Sequence, residues 1–396
     1  MIIESKNINK TLMTGNEAIA EGAILAGCRH YFGYPITPQN EIPAYMAKRM
    51  PQVGGCFLQA ESELAAINMV FGASAVGVRS MTSSSSPGIS LMQEGISYLA
   101  GAELPAVVVN ICRGGPGLGN IAGSQGDYFQ ATRGGGHGDY RTIVLGPASV
   151  QEMYDLAFLA FDLADLYRIP VLVLADGVLG QMMEPIVLDE RWKAKMSLPN
   201  SADVSNSPDV PNLPDVPNSA DTLNSQNIPN TPDITDIPEK PWALTGARNR
   251  PPRVVKSLYM AEGELEARNW HLARKYQKIQ CDEVRYEEYL VEDARLLLVA
   301  YGLSARICRA AVNMARKRGI ALGLFRPITL YPFPSAALAG TAGRIGKVLV
   351  VEMNTGQMIE DVRLAVNGCC QTFFYGRPGG GIFSDKEILY QCLCMI

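Results

Sequence analysis

Ala106-Val-Val-Val-Asn-Ile-Cys-Arg113-Gly-Gly-Pro-Gly-Leu-Gly119 is the stretch that decides the fold. Its first half is an apolar run of strand length, interrupted only by Asn110 and without in/out alternation, which suits a strand covered on both faces, as in a parallel sheet packed between helices. Val171-Leu-Val-Leu-Ala175 repeats the signal, and so do Leu296-Leu-Leu-Val-Ala-Tyr301 and Val348-Leu-Val-Val-Glu352. Helix-period segments separate these runs. Thr14-Gly-Asn-Glu17 and Ser149-Val-Gln-Glu152 are capping-box patterns that open helices over residues 18–26 and 154–164, and residues 305–316 also read as helical. Strand and helix alternate in both halves, so the expected class is α/β, with two doubly wound parallel-sheet domains.

Outward from these strands, residues 199–238 change character. Eight of the 25 prolines fall there among Asn, Asp and Ser, with no Gly and no aromatic residue, and Pro-Asp-Val-Pro-Asn occurs from Pro208 and again from Pro214. Such a composition cannot bury enough apolar surface to offset its ordering entropy. We therefore expect domains at 1–190 and 241–396, joined by a low-complexity, disordered linker at 191–240. The 396-residue length fits more than one domain, and a 47% hydrophobic, 19% charged composition describes a chain with a large core. A net charge of −4 gives no global reason to bind nucleic acid or an anionic membrane. Without an export signal or an apolar run of membrane-spanning length, a cytoplasmic protein is expected. The nine scattered cysteines, an odd number, favour neither disulfides nor an iron–sulfur or zinc site.

Four loops could carry chemistry, since doubly wound sheets place ligands at strand ends. Phe32-Gly-Tyr-Pro-Ile-Thr-Pro38 has two prolines that stiffen the backbone around the Thr37 hydroxyl; its plain alternative is a rigid turn. Gln59-Ala-Glu-Ser-Glu63 places two carboxylates at the start of an Ala-rich helix, where acidic residues commonly just complement the helix dipole. A glutamate held there in an apolar wall would differ, because it could keep a proton and share it with a ring nitrogen. Thr82-Ser-Ser-Ser-Ser-Pro-Gly88 offers hydroxyls before a helix beginning near Ile89. Arg113 follows the strand ending at Cys112, where its planar fork could clamp a carboxylate or make a structural ion pair.

Other chemistries are excluded by spacing. The glycines after Arg113 miss the dinucleotide pattern G-x-G-x-x-G, since the third position is Asn120 counted from Gly115 and Ala122 counted from Gly117. His30, His137 and His271 are far apart and lie in no zinc-binding pattern, and neither a nucleophile elbow nor a P-loop is found. No metal ligand is assigned.

As an ordered set, Tyr34-Pro-Ile-Thr-Pro38, the Glu63 helix, Thr82 to Gly88, Arg113-Gly-Gly-Pro-Gly and Ser124-Gln-Gly-Asp127 resemble the α subunit of the 2-oxoacid:ferredoxin oxidoreductases over residues 12–186. Arg326-Pro-Ile-Thr-Leu-Tyr-Pro-Phe-Pro334, Val351-Glu-Met-Asn-Thr-Gly-Gln357 and Gly376-Arg-Pro-Gly-Gly-Gly381 resemble that subunit's transketolase-C-like domain. The 2-oxoisovalerate (branched-chain) type is nearest, with the 2-oxoglutarate type beside it; a noncatalytic nucleotide-binding or scaffold protein on the same fold is the alternative from another class.

The resemblance implies an aminopyrimidine-binding domain for thiamine diphosphate, with the diphosphate and Mg²⁺ held by a separate β subunit. Iron–sulfur clusters would sit only on partner chains, namely a γ subunit, a ferredoxin-like δ subunit and ferredoxin, and coenzyme A would be the co-substrate. No Gly-Asp-Gly followed by the family's diphosphate-site Asn occurs, in keeping with that division. Carried over residue by residue, Glu63 rather than Glu61 would exchange a proton at N1′ of the pyrimidine, by counting to Gly72-Ala73. Thr37 and Arg113 would hold the substrate carboxylate, and Tyr34, Pro35, Ile36, Thr82, Ser83, Ser84 and Ser85 would line the cofactor. The long insert at 199–238 departs from the family pattern.

Overall fold

A computed structural model describes residues 10–188 and 240–396; the expected linker lies outside the described residues. The elements of the first half are β1 (Lys10–Thr14), α1 (Gly15–Leu25), β2 (His30–Gly33), α2 (Glu41–Arg49), β3 (Cys56–Gln59), α3 (Glu63–Ala75), β4 (Ser80–Ser84), α4 (Pro87–Gly101), β5 (Ala106–Cys112), α5 (Tyr128–Arg133), β6 (Ile143–Leu145), α6 (Val150–Tyr167), β7 (Pro170–Asp176), α7 (Gly177–Gln181) and β8 (Met183–Val187). The second half adds α8 (Glu264–Asp282), β9 (Tyr286–Tyr289), β10 (Leu296–Val299), α9 (Gly302–Arg316), β11 (Leu322–Pro327), β12 (Thr329–Tyr331), α10 (Ser335–Ile345), β13 (Lys347–Glu352), α11 (Met358–Val366), β14 (Gln371–Gly376) and α12 (Asp385–Leu393).

The first sheet runs β12-β6-β7-β5-β4-β2-β3, and the second runs β14-β13-β10-β11-β9. Within each, all neighbours are parallel except one antiparallel edge strand, β12 or β9. The apolar run at 106–112 is the centre of the first sheet and is buried throughout. Its alternate residues serve different layers. Val107, Val109 and Ile111 pack with Ile19, Ile42 and Phe161 from α1, α2 and α6, while Val108 and Cys112 pack with Ile67 and Met92 from α3 and α4. Burying each such aliphatic side chain is worth roughly 1.5–3 kcal/mol before ordering costs, so this two-faced strand anchors the layers. No helix among the described residues is long and apolar enough to cross a membrane.

Two parts of the second half belong physically to the first sheet. Strand β12 extends it by pairing Thr329 with Leu145 and Tyr331 with Val144. Helix α8 places Leu272, Tyr276 and Ile279 in the core cluster that residues of α1 and α6 also form. Three side chains of α8 converge on the buried Glu103: Arg268 at 2.6 Å, Lys275 at 2.9 Å and His271 at 3.1 Å. The second sheet itself begins only at Tyr286.

Of the two capping boxes, Thr14–Glu17 is complete, with each side chain bonded to the other's backbone N–H. At Ser149 only half forms: Ser149 Oγ accepts from Glu152 N at 3.1 Å, but the Glu152 carboxylate accepts from Ala148 N and from both terminal nitrogens of Arg326, at 2.6 and 2.8 Å. A fork–fork ion pair between the two halves outcompetes the local cap.

The seam between the sheets is built on Gln125. Its Nε2 donates to Tyr301 O, its Oε1 accepts from Ser304 Oγ and Met353 N, and its backbone N–H donates to Met353 O. Beside it, the buried Glu352 carboxylate accepts from the N–H groups of Met358 and Ile359, at the start of α11, and from Asn354 Nδ2.

Candidate functional site

Strands β5, β4, β2 and β3 are consecutive in the first sheet, and their carboxyl ends release the segments at 113–127, 85–86, 34–40 and 60–62. Parallel pairing therefore gathers the four sequence-selected segments on one edge of the sheet.

Glu63 is the first residue of α3, whose N-cap is Ser62, with its Oγ accepting from Ala65 N at 3.2 Å. The helix start separates the two acidic residues: Glu61 precedes the cap and is exposed, whereas Glu63 turns inward and is 4% exposed. Ser84 Oγ donates to Glu63 Oε1 at 3.1 Å. Gly88, in the first turn of α4, makes the approach possible, because a Cβ there would lie 2.0 Å from Ser84 Oγ and 2.3 Å from Glu63 Oε1. Any side chain at 88 would displace this pair.

Arg113 is 7% exposed at the end of β5. Its terminal nitrogens donate to the carbonyl oxygens of Thr37, at 3.0 Å, and Leu118, at 3.1 Å, while Nε is buried without a partner. Among the described residues no carboxylate pairs with it, so a buried cation is held by neutral carbonyls with its Nε–H unpartnered, an arrangement suited to an anion. Thr37 thus meets Arg113 through its carbonyl, while its hydroxyl accepts from Asn40 Nδ2 at 3.3 Å. Tyr34 and Pro35 are exposed and Ile36 is half-buried, forming the lip of the site.

The serine run differs from the loop expected of it. Thr82, Ser83 and Ser84 are the end of β4, fully buried between helices, and α4 starts at Pro87 rather than near Ile89. Strand alternation then sends neighbours to opposite faces. Ser84 faces Glu63, whereas Ser83 pairs with Tyr31 Oη at 2.7 Å and donates to Gln39 Oε1 at 2.6 Å. Gln39 in turn donates to Tyr34 O, so Ser83 braces the 34–40 segment from below. The hydroxyls of Thr82 and Ser85 are buried without partners.

Four polar residues with no assigned role in the sequence analysis complete the site: Gln39, Ser86, Asn110 and Asp127. Asn110 had a signal, being the one polar residue in an apolar strand. Its Oδ1 accepts from Ser86 N and its Nδ2 donates to Asp127 Oδ2. The glycines after Arg113 fold back as a closed loop, with Asn120 N donating to Gly114 O and Gly114 N to Ala122 O, and no helix follows them until Tyr128. A nucleotide cradle needs that helix start, so this loop does not supply one. The histidines lie elsewhere: His30 opens β2 at its opposite end, His271 bonds Glu103, and His137 is exposed in the 134–139 loop.

These features fit a polar heteroaromatic ring beside a carboxylate. A buried acid sits against a glycine, two unpartnered hydroxyls lie in β4 and just after it, and an unpartnered guanidinium N–H is at the next strand end.

Comparisons with known proteins place the same edge in context. Residues 21–230 match the family model described as pyruvate flavodoxin/ferredoxin oxidoreductase, thiamine diphosphate-binding, and residues 294–388 match pyruvate:ferredoxin oxidoreductase core domain II. The ketoisovalerate oxidoreductase subunit VorB of Methanothermobacter thermautotrophicus is 48% identical, covering 96% of this chain and 96% of the relative. The 2-oxoglutarate synthase subunit KorA of the same organism is 39% identical, covering 96% and 97%. Among solved structures, the 2-oxoglutarate:ferredoxin oxidoreductase of Magnetococcus marinus, determined with 2-oxoglutarate, coenzyme A and succinyl-CoA bound, superposes with a TM-score of 0.79 at 26% identity. The match covers 97% of this chain and 65% of that longer one.

Proposed function

The chain belongs to the pyruvate flavodoxin/ferredoxin oxidoreductase family, and from that membership we propose that it is the pyrimidine-binding subunit of a cytoplasmic 2-oxoacid:ferredoxin oxidoreductase acting on 2-oxoisovalerate. The observation that carries the site assignment is the buried Glu63 carboxylate, set against Gly88 and Ser84 at the edge where Arg113 is held. The preference for a branched 2-oxoacid rests on the similarity to the ketoisovalerate subunit, with 2-oxoglutarate as the neighbouring possibility.

When bound, thiamine diphosphate supplies the nucleophilic carbon and the electron sink that allow a 2-oxoacid to lose CO₂. Glu63 holds and returns a proton at the pyrimidine N1′, and its burial keeps water from competing for that proton. Tyr34, Pro35, Ile36, Thr82, Ser84 and Ser85 line the ring, with Ser83 beneath them holding the lip. Arg113 and Thr37 orient the substrate carboxylate, and misplacing such a clamp costs on the order of 10²-fold in rate. A partner β subunit would hold the diphosphate and Mg²⁺, and γ and δ subunits would carry the iron–sulfur clusters that pass electrons one at a time to ferredoxin. Coenzyme A takes the acyl group.

The test is the complex assembled with its partner subunits, assayed for coenzyme A-dependent dye reduction with 2-oxoisovalerate, 2-oxoglutarate and pyruvate. We expect the highest kcat/KM on 2-oxoisovalerate, and in Glu63→Gln a loss of about 10³-fold with the complex still assembled, since an amide cannot exchange the proton. Wild-type activity in Glu63→Gln removes the assignment of that residue, and a preference for another acid moves the substrate.

A further inference from the structure

Ser124-Gln-Gly-Asp127 is only half explained by the seam. Gln125 turns toward the second sheet, but Asp127 turns back toward the site. One oxygen of Asp127, Oδ2, accepts from Ser86 Oγ at 2.6 Å and from Asn110 Nδ2 at 2.8 Å. The same Ser86 hydroxyl accepts the backbone N–H of Arg113 at 3.0 Å, and Ser86 N donates to Asn110 Oδ1 at 3.1 Å.

Ser86 needs this hold. It carries φ +23° and ψ −79°, a conformation that a residue with a Cβ rarely adopts and that costs on the order of 1–3 kcal/mol unless its surroundings impose it. The residue is also the hinge of the site: it follows the Ser84 that bonds Glu63, precedes the α4 turn containing Gly88, and anchors Arg113. A charge-assisted bond to a carboxylate is about twice as strong as a neutral one, so Asp127 is the strongest constraint on that hinge.

We infer that Asp127 is a positioning residue. It fixes the strained Ser86 turn, and through it Arg113 and the Glu63–Ser84 pair, and it links that geometry to the seating of the second sheet by way of the adjacent Gln125. It touches neither substrate nor cofactor. The inference rests on the assignment of this edge as the 2-oxoacid site.

The experiment compares Asp127→Ala and Asp127→Asn in the assembled complex. In Asp127→Ala the freed turn lets Arg113 drift, and we expect the 2-oxoacid KM to rise about tenfold and kcat to fall about tenfold, with the KM for coenzyme A unchanged. The amide oxygen of Asp127→Asn can accept both bonds, so this variant should return the 2-oxoacid KM to within about threefold of wild type. A merely structural role would reduce the amount of active complex and leave KM alone. If Asp127→Ala does not assemble, Ser86→Ala removes the same link and should show the same rise in KM. A wild-type 2-oxoacid KM in Asp127→Ala, or in Ser86→Ala where Asp127→Ala does not assemble, alongside an inactive Glu63→Gln, overturns the inference. A fully active Glu63→Gln instead strikes the site assignment on which it rests.

Discussion

The chain leaving β5 passes through two buried polar regions that are built by opposite rules. At the seam, Gln125, Glu352 and Asn354 find partners for each of their side-chain polar atoms, on the backbone of the opposite sheet, at a helix start, or on one another. At the sheet edge where that chain begins, Arg113 Nε and, from β4 and the segment after it, Thr82 Oγ1 and Ser85 Oγ are buried with none. Burial is the same in both places; saturation is not. A saturated network specifies how two surfaces fit, whereas an unsaturated one is stable only where something else brings the missing partners.

The contrast fails unless the two regions respond differently to substitution. The largest effect should come from Gln125→Ala, which strands Met353 N and Ser304 Oγ in the seam. We expect a loss of about 3 kcal/mol in stability by chemical denaturation, since each buried unsatisfied group costs about 1–3 kcal/mol. If only activity falls, the seam is not the structural element described. Arg113→Lys reverses the pattern: a point charge replaces a planar fork, so kcat/KM should drop about 10²-fold while stability changes by about 1 kcal/mol. Equal losses in both measurements would erase the distinction.

The smallest effect tests Asp176, at the end of β7, where it caps α7 by accepting from Val178 N and Leu179 N. Burial pushes its carboxyl up to about 6, against the pull of those N–H groups. A raised value means that the folded state binds the proton more tightly than the unfolded chain. The group therefore costs nothing below about pH 4, and its penalty grows as pH rises through about 6. Asp176→Asn keeps an oxygen for the cap and removes the charge, so it should gain about 1–2 kcal/mol at pH 7.5 and nothing at pH 4. A gain that does not vary with pH would show that the charge was not the cause.

Physical reasons separate what the sequence disclosed from what it withheld. The central strands were legible because covering both faces of a strand demands an apolar run without alternation, as at 106–111, with Asn110 the one exception, and at 171–175. The four edge segments were legible because Pro, Gly and Ser mark strand ends. Thr82–Ser84 was misread as a loop because serine signals a turn locally, and only the helices packed on both sides make it a strand. The full cap at Ser149 was lost to Arg326, a residue far away in sequence. Asp127 and Ser86 lay inside segments singled out in the sequence, but their roles gave no warning, since neither a carboxylate that gathers two donors nor a backbone strained at a serine leaves a mark in composition or period.

Strand β12 carries a last consequence. By stitching Thr329 and Tyr331 into the first sheet after the second sheet has begun, it makes the two halves interleaved rather than tandem. A break in the backbone anywhere between 189 and 239 would leave two polypeptides still threaded into one β-sheet, with α8 wedged under the other piece's core. Removing the piece that carries 240–396 would strip the first sheet of its edge strand and its core of Leu272, Tyr276 and Ile279.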